Sequence, residues 1–430
     1  MSGPPDTHSP LAAWRFLLPA GLVEGACLAA LAWWPPAAGE AGRLLIFGAA
    51  FAAYAVAASL VKDARGGALW IWGVAVALRL VLLPADPVLS HEVYRYLWDG
   101  EVQLGGVNPF RFAPVAHEVA GIRSEWFSLV PGTSMLSPYP PVPQVAFLAL
   151  ALVGSTVLQA KLLWLGFDLG TGWLLGRVAL FSGRSRRLTQ LLYLWSPLLV
   201  VEGAWNGHLV PLALFLLTLV VLLARAPVSA GVAAGLAAMA APVTLAALPA
   251  LVVRMKGRFL LGCLAGLAVP LIPYLTAPRS MAAGVAGPLF GGPSVGGPFL
   301  LLESALPPGI DRWAVVGVVT GVAVWAAAHR FRPERALLWV LGAALLSAPA
   351  LHPASALWVL PFAALRVSRP WLLFSGLAFL AHVGAGGTPG ASSPAPLWAQ
   401  LALWIPFLAL LGLEARRHLR DRFPLPPVET

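Results

Sequence analysis

The sequence predicts an all-α polytopic integral membrane protein that forms a single domain over residues 1–430. Hydrophobic residues make up 59% of the chain and charged residues only 11%, and the mean hydropathy of +0.80 is far above that of a soluble domain. Apolar runs long enough to cross a bilayer recur along the whole chain, separated by short breaks rich in Pro, Gly or Arg. We therefore expect about 12 to 14 transmembrane helices.

The expected spans can be placed in chain order. The first is residues 11–34, which is too long for a signal-peptide core and has no clear Ala-x-Ala site, so we expect it to be retained. Spans at 43–61 and 68–84 follow, and a large loop occupies residues 85–142. The later spans are 143–158, 161–181, 188–203, 208–225, 228–253, 258–277, 313–330, 336–351, 354–366, 370–388 and 397–414.

Two of these regions conflict with simple counting of membrane crossings. Segment 228–253 has an arginine at each flank and is interrupted by Pro242 and Pro249, so we expect it to enter and return as two short helices. The pair 143–158 and 161–181 joins an outer loop to an arginine cluster, so one member is expected not to cross fully. The alternative explanation for both is misplaced segment boundaries.

The net charge of +10 is distributed in a way that indicates membrane topology and no nucleic-acid partner. The cations lie between apolar runs, at Lys62/Arg65, Arg184/Arg186/Arg187, Arg254/Lys256/Arg258, Arg330/Arg332/Arg335, Arg366/Arg369 and Arg416/Arg417/Arg420/Arg422. If these clusters are cytoplasmic, both termini are cytoplasmic and the loop 85–142 is extracytoplasmic.

The chain contains few groups suited to other chemistries. Cys27 and Cys263 both lie in apolar segments, and two cysteines make neither a disulfide framework nor a metal site. No P-loop, dinucleotide turn, zinc cluster or serine nucleophile elbow is present, which disfavours an ATP-driven or redox role. Asp168 and Arg177 lie within an apolar run, where a charge is either functional or paired with a neighbouring helix.

The loop 85–142 concentrates the polar chemistry of the chain. It holds six of the 18 acidic residues: Asp86, Glu92, Asp99, Glu101, Glu118 and Glu125. Ser90 is expected to cap a helix that begins at His91 and ends near Gly105.

On that helix Glu92, Arg95 and Asp99 fall at i, i+3 and i+7, so they share one face. A carboxylate beside a guanidinium suits a reaction in which one group takes a proton and another stabilises an anion. Glycosyl transfer from a phosphate donor needs this combination. The alternative is an interfacial amphipathic helix with a surface ladder of charges and aromatic anchors.

This loop resembles the first outer loop of the bacterial GT-C glycosyltransferases, in particular the mannosyltransferases that use a polyprenyl-phosphate-mannose donor. The resemblance rests on residues 92–100 and 106–110, and it extends over roughly residues 80–365. Weaker similarity lies at 139–144, at 196–199 with Glu202 and residues 206–208, and at His352-Pro353 with Trp358 and Pro361.

The resemblance implies an inverting enzyme of the bacterial inner membrane, which moves a sugar, expected to be mannose, from a polyprenyl-phosphate carrier to a hydroxyl on the extracytoplasmic face. The acceptor would be a glycan, a glycolipid or a protein. Glu92 matches the position of the candidate general base, and Arg95, with His208 or His352, would face the phosphate. Tyr94, Asp99, Asn108 and Glu202 complete the expected substrate-binding residues.

The sequence departs from the family pattern at several positions. His91 stands where many relatives have a second acid, Leu209-Val210 and Ala354-Ser355 replace usual polar or aromatic residues, and Ala241 replaces a frequent lysine. No metal ligand is assigned, although Glu92 with His91 leaves a divalent cation open as a cofactor. The rival hypothesis is a transporter or flippase of a lipid-linked sugar, which inverted repeats and a symmetric pair of broken helices would favour.

Overall fold

The computed structural model describes residues 14–34, 39–61, 67–290, 298–299, 305–307, 310–348, 351–383 and 396–422. These residues form helices and no strand, so the all-α prediction is confirmed for them. Both chain ends lie outside the described residues, as do 291–297 and 300–304 within the connection between spans 258–277 and 313–330. The cytoplasmic location of the termini therefore stays a prediction.

The α-helices of the described residues are, in chain order, α1 Trp14–Trp33, α2 Gly39–Leu60, α3 Ala68–Leu82, α4 Glu92–Leu104, α5 Pro141–Val153, α6 Val157–Phe181, α7 Arg186–Leu194, α8 Pro197–Val200, α9 Val210–Leu222, α10 Pro227–Ala240, α11 Leu248–Met255, α12 Gly257–Ala268, α13 Pro278–Phe290, α14 Ile310–Ala328, α15 Pro333–Leu346, α16 Leu360–Arg366, α17 Arg369–Leu377 and α18 Leu397–Arg422. Short 3₁₀ helices span His117–Ile122, Glu125–Leu129, Pro242–Ala247, Val269–Tyr274, Pro353–Val359 and Ala378–His382, and Val201–Trp205 forms a π-helical turn.

Within the described residues, three helical segments are long and apolar enough to cross a membrane: Gly39–Leu60, Gly257–Tyr274 and Leu397–Arg416. Seven further apolar helical segments have 10 to 17 residues. The 13 residues of α5 reach only about 20 Å at 1.5 Å per residue, short of the hydrocarbon thickness. The predicted 12 to 14 complete spans are therefore not all present as long helices, and their number stays a prediction.

Many large apolar side chains lie on the outside of the helical assembly. Leu69, Trp313 and Leu261 are 77%, 74% and 66% exposed, and similar residues occur on α1, α6 and α18. Exposed apolar side chains of this size on so many helices are unusual for a soluble monomer. The outer surface is thus suited to an apolar environment.

The predicted interruption of segment 228–253 is confirmed. Helix α10 ends at Ala240, Ala241 is extended with φ −153°, and the chain resumes at Pro242 as a 3₁₀ turn before α11. Proline has no amide proton and clashes with the preceding helical turn, which explains the break at this point. Pro249 instead occupies the first turn of α11, where proline is tolerated.

Helices α10 and α12 approach each other with their backbones in contact. A Cβ added to Gly231 would lie 2.0 Å from the carbonyl oxygen of Phe259, and one added to Gly262 would lie 2.0 Å from that of Val228. Gly235 and Gly266 make similarly close contacts one turn further along. Small residues spaced four apart on both helices permit this packing, as in helix pairs within membranes.

A buried ion pair joins two helices of the core. Arg79 on α3 donates from Nε to Oδ2 of Asp168 on α6 at 2.6 Å, and its Nη1 donates to the carbonyls of Ala75 and Leu194. Both side chains are almost inaccessible to solvent. Asp168 is therefore paired with a neighbouring helix, which was one of the two alternatives for a charge at this position.

The bundle has two chemically different ends. Each of four chain segments has an arginine at one end of the bundle and a glutamate or a histidine at the other end. The residue pairs are Arg186 and Glu202, Arg332 and His352, Arg366 and His352, and Arg369 and His382. Helix α7 packs on α16, and α8 packs on the 3₁₀ turn Pro353–Val359, so the segments are aligned. Helix α15 alone separates its two ends by about 20 Å.

Candidate functional site

Helix α4 carries four of the predicted site residues, and its ends match the sequence signals. It begins at Glu92, one residue later than predicted, and the N-cap residue is His91 in place of the predicted Ser90, whose Oγ accepts from the Glu92 amide at 3.4 Å. It stops at Gly105, and Gly106 follows with φ +77°, a conformation that glycine adopts without strain. The predicted first-loop helix is confirmed to within one residue.

Close packing against α5 fixes the position of α4. A Cβ on Gly100 would lie 2.3 Å from the carbonyl oxygen of Phe147, so only glycine allows this approach. The Tyr96 ring stacks on the Phe147 ring at a centroid distance of 5.0 Å and meets Trp164 of α6 edge to face. These contacts place the middle of α4 against the middle of α5.

Glu92 is half-buried and hydrogen-bonded to a tyrosine from the other end of the loop. The Tyr139 hydroxyl donates to Oε2 of Glu92. Burial, followed by the negative charge of Glu92, raises the pKa of the Tyr139 hydroxyl well above its usual value, so this hydroxyl keeps its proton as a donor. Among the described residues no donor contacts the second carboxylate oxygen, Oε1, which is thus free to accept a proton.

Arg95 and Asp99 make contacts that helical spacing did not predict, although the charge of Arg95 still acts on Tyr139, the hydrogen-bond partner of Glu92. Arg95 is 2% exposed, and its Nε donates to Oδ1 of Asp99 at 3.1 Å. Its other nitrogens donate to the carbonyls of Pro131, Gly132 and Met135. These contacts tie the loop to α4 and occupy most of the donors that we expected to meet a phosphate.

Asp99 lies in the same buried network. Its Oδ2 accepts from the Ser137 hydroxyl and from Nε2 of Gln144 at 2.8 Å. The carboxylate is therefore satisfied inside the protein, so its geometry assigns it to holding residues 131–144 in place.

The second polar group forms where three distant segments meet. His382, at the end of a 3₁₀ helix, has its Nε2 2.7 Å from Oε1 of Glu202, and His208 has its Nε2 3.3 Å from Oε2. Asn206 donates to the same Oε2 at 3.3 Å. Glu202 lies in a π-helical turn, a local distortion often found at functional sites, and it fixes the orientation of both imidazole rings.

Tyr96 connects the two polar groups. Its hydroxyl is 3.4 Å from Nδ1 of His208, and its ring meets that of Tyr139 edge to face with centroids 5.0 Å apart. A continuous row of polar side chains thus leads from Glu92 through the two tyrosines to the histidines. We call this row the polar relay: Glu92, Tyr139, Tyr96, His208, Glu202 and His382.

The other predicted site residues lie around this row in different roles. His352 is exposed and close enough to His208 for an electrostatic interaction. Tyr94 packs between His91 and Trp126 at the side of α4. Asn108 accepts from the Phe110 amide and donates to Thr276, so its contacts hold a turn against a neighbouring segment.

The described residues contain no group of three or more His, Cys, Asp or Glu side chains placed to hold a metal ion. The expected neighbour of Glu92, His91, instead packs its ring against Tyr94. The donors that a divalent cation would need are therefore not gathered around Glu92 in this part of the chain.

Sequence reasoning did not identify three members of the polar relay. Tyr96 and Tyr139 belong to the motifs at 92–100 and 139–144, but the sequence assigns neither tyrosine a role of its own. His382 lies within the apolar run 370–388. A lone histidine at the end of an apolar segment was the available signal for His382, because ionisable groups in such segments are costly and often functional.

No protein-family model, curated protein or solved structure matches the chain.

Proposed function

We propose that the protein is a polytopic membrane glycosyltransferase of GT-C type, which transfers a sugar from a polyprenyl-phosphate donor to a hydroxyl acceptor on the extracytoplasmic face. The observation that carries the proposal is the polar relay, which links a half-buried carboxylate, Glu92, to a pair of histidines held by Glu202. A base and a hydrogen-bond donor for phosphate are the two groups that this reaction requires.

The membrane assignment is supported by the three long apolar helices and by the exposed apolar surface of the assembly. The arginine ends of the helices would be cytoplasmic by the charge rule, and the relay would then lie at the extracytoplasmic ends. Sugar nucleotides are absent outside the cytoplasm, which favours a lipid-linked donor.

In the proposed reaction Glu92 removes the proton from the acceptor hydroxyl through its free Oε1. The acceptor oxygen attacks the anomeric carbon of the sugar from the side opposite the phosphate, and the bond between that carbon and the phosphate oxygen breaks. Polyprenyl phosphate leaves with both bonding electrons, and the configuration at the anomeric carbon inverts. Tyr139 keeps the carboxylate oriented by donating to its other oxygen.

The departing phosphate requires donors, and the contacts of Arg95 leave it poorly placed for this role. His208, His382 and the exposed His352 lie together at the relay and are the better candidates. Glu202 would act as a positioning residue for the first two, because it touches the rings and not the substrate. Arg95 and Asp99 would shape the loop that covers the donor.

The test is transfer from radiolabelled polyprenyl-phosphate-mannose by the purified full-length protein in lipid nanodiscs, with glycan, glycolipid and hydroxyl-peptide acceptors. We expect Glu92→Gln to reduce transfer by at least about 10³-fold, because the general base is lost, and Tyr139→Phe to reduce it less. Glu125→Gln is the matched control, since Glu125 is an exposed acid of the same loop.

Transfer that persists in the Glu92→Gln variant would refute the assignment of the base. If no acceptor is glycosylated and the wild-type protein instead moves the lipid-linked sugar across vesicle membranes, the transporter hypothesis replaces the enzyme.

A further inference from the structure

A cavity of about 360 Å³ lies at the arginine ends of the helices, away from the polar relay. Its lining comes from the turn after α6, the turn between α14 and α15, the first turn of α15, and the end of α16. The lining residues are Arg184, His329, Arg330, Phe331, Arg332, Arg335 and Arg366. The proposed transfer reaction uses none of them.

Positive charge predominates around the cavity. In the part of the chain that the structure describes, five guanidinium groups line it and two carboxylates lie close: Glu334, whose Oε1 is 3.8 Å from Arg184, and Glu414, which interacts electrostatically with Arg366. The guanidinium groups outnumber these two carboxylates by three. Burial, followed by the charge of Arg366, lowers the pKa of Arg184, as expected for crowded like charges.

The backbone at two edges of the cavity is in an unfavourable conformation. Arg330 has φ +47° and Val367, directly after Arg366, has φ +53°. They are two of four non-glycine residues with positive φ in the part of the chain that the structure describes. A β-branched residue such as valine rarely adopts this region, and strained backbone of this kind clusters at binding sites.

We propose that this cavity binds a phosphate-bearing ligand with at least two negative charges. Guanidinium groups donate pairs of parallel hydrogen bonds to phosphate oxygens, and several of them around one cavity suit a ligand with two phosphates. Such a ligand is either a soluble diphosphate or the head group of a two-phosphate lipid such as cardiolipin. Basic pockets between helices on the cytoplasmic side are suited to such head groups.

The experiment measures binding to the purified full-length protein with two probes. Sodium pyrophosphate is titrated against protein in neutral detergent, and cardiolipin is titrated into phosphatidylcholine nanodiscs that contain the protein. The test variant is Arg330→Gln with Arg332→Gln, because both side chains are exposed. Arg258→Gln is the matched control, since Arg258 is an exposed arginine outside the cavity.

We expect at least one probe to bind. The double variant should raise the Kd of that probe by at least about tenfold per lost guanidinium, whereas Arg258→Gln should change the Kd less than about twofold. Arg332→Gln alone should weaken binding by an intermediate factor, and this single variant tests the proposal if the double variant does not fold. Binding of pyrophosphate identifies a soluble ligand, and binding of cardiolipin alone identifies a lipid. The proposal is overturned if neither probe binds the wild-type protein, or if Arg258→Gln weakens binding as much as the cavity variants.

Discussion

Removal of the Asp168 carboxylate should destabilise the protein, because its partner would keep a charge in the core. In Asp168→Ala the Arg79 guanidinium loses the oxygen that now accepts from Nε at 2.6 Å. Both side chains are almost completely buried, so water cannot replace the lost contact. Breaking a buried pair by removing one partner costs about 3–5 kcal/mol in the free energy of unfolding.

The contacts that Arg79 keeps favour a loss of unfolding free energy at the lower end of this range. Arg79 would retain its hydrogen bonds to the carbonyls of Ala75 and Leu194, which leaves its guanidinium partly satisfied. A loss of about 3 kcal/mol corresponds to a fall in Tm of about 3–6 °C for a chain of this size.

The assay is thermal unfolding of the detergent-solubilised protein, followed by tryptophan fluorescence. The double variant Arg79→Met with Asp168→Leu removes both members of the pair and should recover at least half of the lost stability, because neither Arg79 nor Asp168 is left without its partner. A wild-type Tm for Asp168→Ala, or a double variant less stable than the single one, would refute the reasoning.

Two further predictions concern the packing of α10 on α12 and the anchoring of the outer loop. Gly262→Ala should lower the free energy of unfolding by about 2–3 kcal/mol, because the new Cβ would meet the Val228 carbonyl and force the helices apart. Gly48→Ala is the control and should be neutral or slightly stabilising, because Gly48 has open space around it. The Tm values of the two variants check this prediction, and equal effects would contradict it. Arg95→Gln should accelerate amide hydrogen exchange in residues 131–137 by at least about tenfold, because the loop loses its charged anchor, while Glu125→Gln leaves exchange unchanged. Unchanged exchange in the arginine variant would show that other contacts hold the loop.

Local signals in the sequence located the elements that depend on local chemistry. The glycines at 105 and 106 set the end of α4, and Pro242 set the break after α10. Both follow from backbone conformations that neighbouring residues dictate. The helical character of the first loop could be predicted for the same reason.

The contacts of the candidate site could not be predicted, because they join residues far apart in the chain. Helical spacing placed Arg95 on the same face as Glu92, yet its acceptors come from irregular backbone at 131–135, which has no periodic signal. Glu202 meets a histidine 180 residues later, and only the tertiary packing brings them together. The grouping of Glu202 with His208 was predictable because they are six residues apart.

The close contact of α10 with α12 also bears on how the chain folds. The two helices are separated by only residues 241–256, so their pairing closes a short loop and costs little chain entropy. Contacts between segments that are near in sequence form faster than those between distant ones. We expect this helical hairpin to assemble early, before Glu202 meets His382, which lies 180 residues later in the chain.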